Sequence, residues 1–286
     1  MILKRIFFLS CLLAVSCNLF AFYDYQSIQK QGHQIHLLEF NPDDYEIVAV
    51  KVNQGGQTRE TVSELVKQTG AFAGINGGFF HGGEQDGLPA GALKIHSQWI
   101  GFQTLGRAAM GWDVENPKDV RMDRIVTQVK NGVEVLPQLD KSKGSLHAWQ
   151  NFDTIVGGTP LLIQHGSVIT DYTSEKPLRS FITERHARTA VCIKDNDHWV
   201  FVVASHTKAA DRAHLTKIIE GLTIKELTQL LQQLSCKNAI NLDGGGSSTL
   251  VINGEIVNNP AGDRDTMTNH YRERAVSDAL LIFPRA

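Results

Sequence analysis

Proline is scarce, with 8 residues in 286, and charge of neither sign dominates, since 28 lysines and arginines face 30 aspartates and glutamates. The first absence excludes a Pro-rich fibrous or linker-like chain. The second removes the basic surface that phosphate backbones require, so no nucleic-acid partner is expected. Cysteine is limited to four residues with none at CxxC spacing, and the 11 histidines form neither HExxH nor HxH. A zinc ribbon, a thioredoxin-type pair and a histidine-held metal are therefore unsupported, and no metal or cofactor is expected. There is no GxSxG elbow of the serine hydrolases, no P-loop lysine and no internal repeat. What remains is 42% hydrophobic and 20% charged, the composition of a folded domain with enough chain to bury a sizeable core.

The N-terminus opens with Lys4 and Arg5 before an apolar run that stops at Asn18, too short to cross a bilayer comfortably. This layout predicts a signal peptide over 1–21, cleaved after Ala21, and a mature domain over 22–286 that is periplasmic or secreted. A rival cleavage leaves Cys17 as a lipid-modified first residue, although Ala14 three positions before it is a poor match. No other membrane contact is expected. Cys11 and Cys17 depart with the leader, and Cys192 and Cys236 remain, free either to pair in an oxidising compartment or to sit as two small buried side chains.

Along the chain, His33–Phe40 and 45–52 alternate in polarity around Asn41-Pro42-Asp43-Asp44 and read as a strand pair. Thr61-Val62-Ser63-Glu64 and Thr223-Ile224-Lys225-Glu226 are capping-box patterns, opening helices that end near Gly70 and after Leu234. Short strands are expected between 92 and 135, a surface loop over 141–152, and a hairpin joining 189–193 to 199–204. Strands outnumber helices and do not alternate with them. The expected class is α+β, a single domain of mixed, strand-rich sheets with a few packed helices.

Glycine is clustered at the ends of these strands. In Asn241-Leu242-Asp243-Gly244-Gly245-Gly246-Ser247-Ser248, Asp243 shares a strand face with Asn241, and three glycines follow that admit positive φ and close approach of a ligand to backbone amides. A turn capped by an aspartate is the plainer reading of Asp-Gly alone, but a triple glycine followed by two serines argues for more. Ile75-Asn76-Gly77-Gly78-Phe79-Phe80 repeats the form, with rings suited either to a sugar face or to the core. Gly157-Gly158-Thr159-Pro160 reads as a tight turn or hairpin corner. Arg188, before Thr189, and Arg274 each stand at a strand entry, where a guanidinium is suited to grip phosphate.

Together these segments, with Glu273-Arg274-Ala275-Val276, resemble the phosphodiester glycosidase family in order from about residue 70 to the C-terminus. The resemblance implies hydrolysis of the bond between an anomeric carbon and a phosphodiester oxygen. It places Asn76, Arg188, Asp243 and Arg274 as catalytic positions, with Gly77, Gly78, Phe79, Thr159, Thr189, Gly244, Gly245, Gly246 and Ser247 contributing to substrate binding. Ala187 departs from it, because a proline commonly precedes the arginine in the family. On this reading the arginines and glycine amides hold phosphate, and Asp243 acts at the anomeric side. Glycosidases use two carboxylates, and Glu184, Asp86 and Asp278 are candidates for the second. Two other functions remain open, a non-catalytic envelope protein binding glycan or sugar phosphate, and a phosphodiesterase cutting P–O, which would call for a metal.

Overall fold

A computed structural model describes residues 22–30, 33–52, 58–206, 221–260, 262 and 272–285, so the leader expected over 1–21 lies outside the described residues. Many of its strands are apolar on both faces, which requires cover on both sides, and the chain meets that requirement with three antiparallel sheets around one core. The seven-stranded sheet runs β1 (Tyr23–Lys30), β2 (His33–Phe40), β14 (Trp199–His206), β13 (Arg188–Lys194), β15 (Cys236–Asn241), β11 (Leu161–Gln164) and β12 (Ser167–Val168). The six-stranded sheet runs β6 (Gln98–Gly101), β5 (Leu93–Ile95), β10 (Thr154–Gly157), β7 (Arg107–Asp113), β8 (Asn116–Val129) and β9 (Val133–Pro137). The five-stranded sheet runs β17 (Glu255–Ile256), β16 (Leu250–Ile252), β4 (Ala73–Asn76), β18 (Ala279–Pro284) and β3 (Tyr45–Val50).

The inner faces share a core that includes Phe40, Ile47, Met110, Val191, Phe201 and Leu280, with Trp112 and Trp199 edge to face at 5.6 Å between ring centres. Each outer face carries at least one helix among the described residues. On the five-stranded sheet α1 (Val62–Thr69) packs Leu65 and Val66 against Val251 and Leu281. On the six-stranded sheet α2 (Lys143–Asn151) brings Trp149 onto Ala109 and Ile155. A short α3 (Arg179–Thr183) precedes β13, and α4 (Ile224–Gln233) covers the seven-stranded sheet by setting Leu227 and Leu231 on Ala190, Cys192 and Val202. Period-2 alternation thus serves two cores at once, with Val191 and Ile193 turned inward and Ala190 and Cys192 outward. No described helix is long and apolar enough to cross a membrane.

The single-domain, strand-rich α+β class is the one observed. The predicted helix starts fall at Thr61 and Thr223, the latter in a full capping box with Glu226, and Gly70 ends α1 in the left-handed conformation. Three expectations are corrected. The strands flanking 41–44 do not pair with each other: β2 joins β14 and β1, whereas β3 joins β18 in a different sheet. Alternation marks a strand but does not name its partner. The expected loop over 141–152 is largely α2, opened by Ser142, whose hydroxyl accepts from the Ser145 amide, and anchored by the buried Trp149. The Gly157-Gly158-Thr159-Pro160 corner closes no hairpin, because it carries the chain from β10 in one sheet to β11 in another, with a cis Thr159–Pro160 peptide. Strand β1, absent from the reading above, pairs along its full length with β2. Cys192 and Cys236 form a disulfide.

Candidate active site

All three sheets send a strand end to the same place. The five-stranded sheet supplies Asn76 and the approach to β18 at Asp278, the six-stranded sheet supplies Gly157, and the seven-stranded sheet supplies Arg188 and the exit of β15 through Asp243. Asn76 is fully buried and acts as a bracket. Its Nδ2 donates to the Asp243 carbonyl at 2.8 Å, while its Oδ1 accepts from Thr189 Oγ1 at 2.7 Å and from the Thr249 amide at 3.3 Å. The main chain of Gly77 continues the lock by donating to the Asp278 carbonyl at 2.8 Å and accepting from the Asp243 amide at 3.2 Å. One glycine thereby fixes the main chains of both aspartates.

The glycines are needed mostly for close backbone approach. A Cβ on Gly77 would collide with Asp278, and one on Gly78 would lie 2.8 Å from the Gly157 carbonyl. On Gly158 it would strike the Asn241 carbonyl, and on Gly246 the guanidinium of Arg274. Gly245 differs, with φ of 58° and open space where a side chain would stand. The Gly244 amide donates to Asp243 Oδ1 at 2.8 Å and the Gly245 amide to the Ala187 carbonyl at 2.7 Å, so both are occupied within the loop. Thr159 is buried, and its hydroxyl donates to Glu175 at 2.9 Å. Thr189 is likewise buried against Asn76.

Asp243 is the partly exposed carboxyl group of this cluster. Burial pushes its pKa from 3.8 up to about 6, and the nearby negative charge of Asp278 adds to that, against the Ser247 hydroxyl, the Gly244 amide and the Arg274 charge, which pull it down. Asp278 is buried, and its Oδ2 accepts from the Gly78 amide at 2.9 Å. Its pKa is raised by burial and opposed by that amide and by Lys51, whose Nζ donates to the carbonyls of Gly87 and Thr58 at 2.8 and 3.0 Å. The other two carboxylate candidates stand apart. Asp86 pairs with Arg59 at 2.9 Å, and Glu184 is exposed, engaging Arg188 only through its backbone carbonyl. Glu273 binds the Ser63 amide at 3.0 Å in the first turn of α1 and also takes the Ser63 hydroxyl.

Arg188 is completely buried and works locally as a brace. Its Nε donates to the Leu222 carbonyl at 2.8 Å and its Nη2 to those of Phe181 and Glu184 at 2.6 and 3.1 Å, with the Phe181 ring centre 4.5 Å from its guanidinium carbon. Its Nη1 is buried with no hydrogen-bond partner among the described residues. Burial lowers its pKa to about 10, so it stays charged at neutral pH. Phe181, which sequence reasoning missed, also meets Phe79 edge to face at 5.9 Å and stacks on His186 at 6.4 Å. No spacing pattern marked it, since it lies in a five-residue helix of irregular sequence.

A perturbed carboxyl group beside an arginine, framed by interlocked glycine loops in a strand-rich α+β domain, marks a candidate active site. The family model for phosphodiester glycosidases matches residues 69–283, and the chain belongs to that family. Its relatives include N-acetylglucosamine-1-phosphodiester alpha-N-acetylglucosaminidase from Mus musculus, 28% identical over 215 residues and covering 71% of this chain and 36% of that one. The Bos taurus enzyme of the same name is 27% identical over 216 residues, covering 71% and 35%. The chain thus spans about a third of the length of these relatives. Among solved structures, a hypothetical protein from Synechocystis superposes with a TM-score of 0.70 at 18% identity, covering 92% of this chain and 62% of that one. The zebrafish N-acetylglucosamine-1-phosphodiester alpha-N-acetylglucosaminidase catalytic domain, auto-inhibited by its pro-peptide, gives 0.66 at 20% identity, covering 93% and 83%. These two likenesses establish the fold.

Proposed function

We propose that this chain is an exported hydrolase that cleaves the glycosidic C–O bond of a sugar-1-phosphodiester, of the N-acetylglucosamine-1-phosphodiester kind named for its relatives. The observation that carries the reading is Asp243, a partly exposed carboxyl group raised to about 6 beside Arg274 at the meeting point of three sheets. Such a group is largely ionised at neutral pH yet remains basic enough to accept a proton.

In the proposed step, water attacks the anomeric carbon and gives a proton to Asp243. The C–O bond breaks, and its electron pair stays on the departing phosphate oxygen. A phosphomonoester leaves as a stabilised anion, so positive charge takes over much of the work of a general acid. Arg274 grips that phosphate across Gly246, and Arg188, completely buried, contributes its positive charge from behind the strand ends. Asp278 is the second carboxyl group, its charge adding to the burial that raises the pKa of Asp243. Asn76 and Gly77 keep the two aspartates in register, and Phe79 meets the sugar ring. The Cys192–Cys236 disulfide suits a protein that folds after export, periplasmic or secreted.

The test is to incubate the purified domain with N-acetylglucosamine-1-phosphomethyl diester in oxygen-18 water and follow the products by mass spectrometry. Label in the released sugar is the expected result. Label in the phosphate would mean P–O cleavage and overturn the assignment, as would the absence of turnover across a panel of sugar-1-phosphodiesters.

A further inference from the structure

Phe102 is 46% exposed, and the chain holds it there rigidly. The preceding Gly101 ends β6 opposite Leu93, packed so closely that a Cβ would strike the Gly91 carbonyl. The following Gln103 is buried: its amide donates to Thr127 Oγ1 at 2.7 Å, and its Nε2 donates to the carbonyls of Arg107 and Ile125 at 2.7 and 3.0 Å. Between these fixed points the Phe102 ring lies nearly parallel to Trp99, at 19° and 5.9 Å between centres. The Lys94 ammonium lies 5.7 Å from the Trp99 ring centre and is itself tied to the Phe152 carbonyl. Trp99 thus contacts both Lys94 and Phe102, and Phe102 shows apolar surface to water.

What sets Phe102 apart from other exposed apolar side chains is its ring-on-ring support, and the axial hydrogens of a pyranose ring match such a surface in size and apolar character. Gln103 Oε1 would be 3.2 Å from a Cβ on either Gly91 or Gly157, and Gly157 in turn packs against Gly78. The platform and the glycine loops therefore share a buttress.

We propose that Phe102, stacked on Trp99, is a sugar-binding subsite that holds a pyranose of a longer glycan at the edge of the sheet that supplies Gly157 to the candidate active site. Its placement deepens the reading above by making the substrate part of a glycan chain, but binding at the platform needs no turnover. Three of the four tryptophans, Trp112, Trp149 and Trp199, are fully buried, so Trp99 is the reporter that a surface ligand reaches. The experiment titrates the domain with tetramers of β-1,4-linked N-acetylglucosamine and of β-1,4-linked glucose, read by tryptophan fluorescence and by calorimetry. The expected result is saturable binding of at least one tetramer, weakened about tenfold or more in Phe102→Ala and retained in Phe102→Tyr, with circular dichroism unchanged. Turnover of the small methyl diester stays at the wild-type level in Phe102→Ala. No saturable binding of either tetramer, or equal affinity in Phe102→Ala, overturns the proposal. Because neither tetramer is a phosphodiester, failure of the hydrolase reading leaves this measurement intact, and the reverse also holds.

Discussion

Asp243 carries a conflict between stability and chemistry that can be measured. Its pKa is 3.8 as an ordinary side chain and about 6 in the fold. Between those values the folded state binds more protons than the unfolded one, so stability falls as pH rises from 4 to 6 and the full cost is present above 6. Asp243→Asn removes that cost. At pH 7.5 the variant is expected to be more stable by about 1–3 kcal/mol by denaturant titration, a gain that vanishes at pH 4, while turnover is lost. In the wild type, activity should fall on the acid side with an apparent pKa of about 6, since the proton acceptor must be ionised. Full activity in Asp243→Asn would remove it from the mechanism. Gly246 offers a second contrast at this scale. A Cβ there meets the end of the flexible Arg274 side chain, so Gly246→Ala should fold with little loss of stability but displace the guanidinium and cut turnover about 100-fold. Gly77→Ala meets both the carboxyl and the backbone of Asp278 and should lose stability as well. The sequence made these glycines conspicuous, but the partner each one admits is set by strands distant along the chain.

The element most dependent on a single side chain is α3. Its five residues are too few to be helical alone, and Arg188 holds two of the segment's carbonyls, those of Phe181 and Glu184, from a buried position. Arg188→Met leaves those two carbonyls without their donor and takes one of two donors from Leu222, which keeps the His186 amide, with an expected loss of about 2–4 kcal/mol. Hydrogen exchange in peptides covering 178–187 should accelerate more than in β13 itself; unchanged protection there would show that the brace is not what orders α3. Elements of this kind explain the limits of legibility. The two helices read from sequence have Thr caps with Glu three residues on, and α4 adds a leucine face, all local signals. Helix α2 has Ser142 but no acidic partner, and only Ser145 and Trp149 are buried along it, too sparse to show a period. The β13–β14 hairpin was legible because its turn is short, whereas β2 and β3 flank an equally short turn and yet diverge into separate sheets. Which sheet a strand joins depends on its fit to a core assembled from all three.

At the scale of the whole molecule, one covalent link crosses the seven-stranded sheet. Cys192 on β13 and Cys236 at the start of β15 close a loop with a sequence separation of 44, which contains β14 and α4. Closing a loop of that length restricts the unfolded chain by about 4 kcal/mol in the chain-entropy account. Both cysteines are buried, at 0% and 6% exposure beneath α4, so reductant has little access while the domain is folded. Two behaviours should follow. The native protein should resist dithiothreitol at neutral pH, with Ellman's reagent detecting no new thiol until denaturant opens the sheet. The Cys192→Ser, Cys236→Ser variant, or wild type reduced while unfolded, should show a guanidinium midpoint lowered by an amount equivalent to about 4 kcal/mol. A loss well below about 1 kcal/mol would mean that the denatured chain is already compact across this stretch without the link, and the disulfide would then no longer support an export-dependent fold.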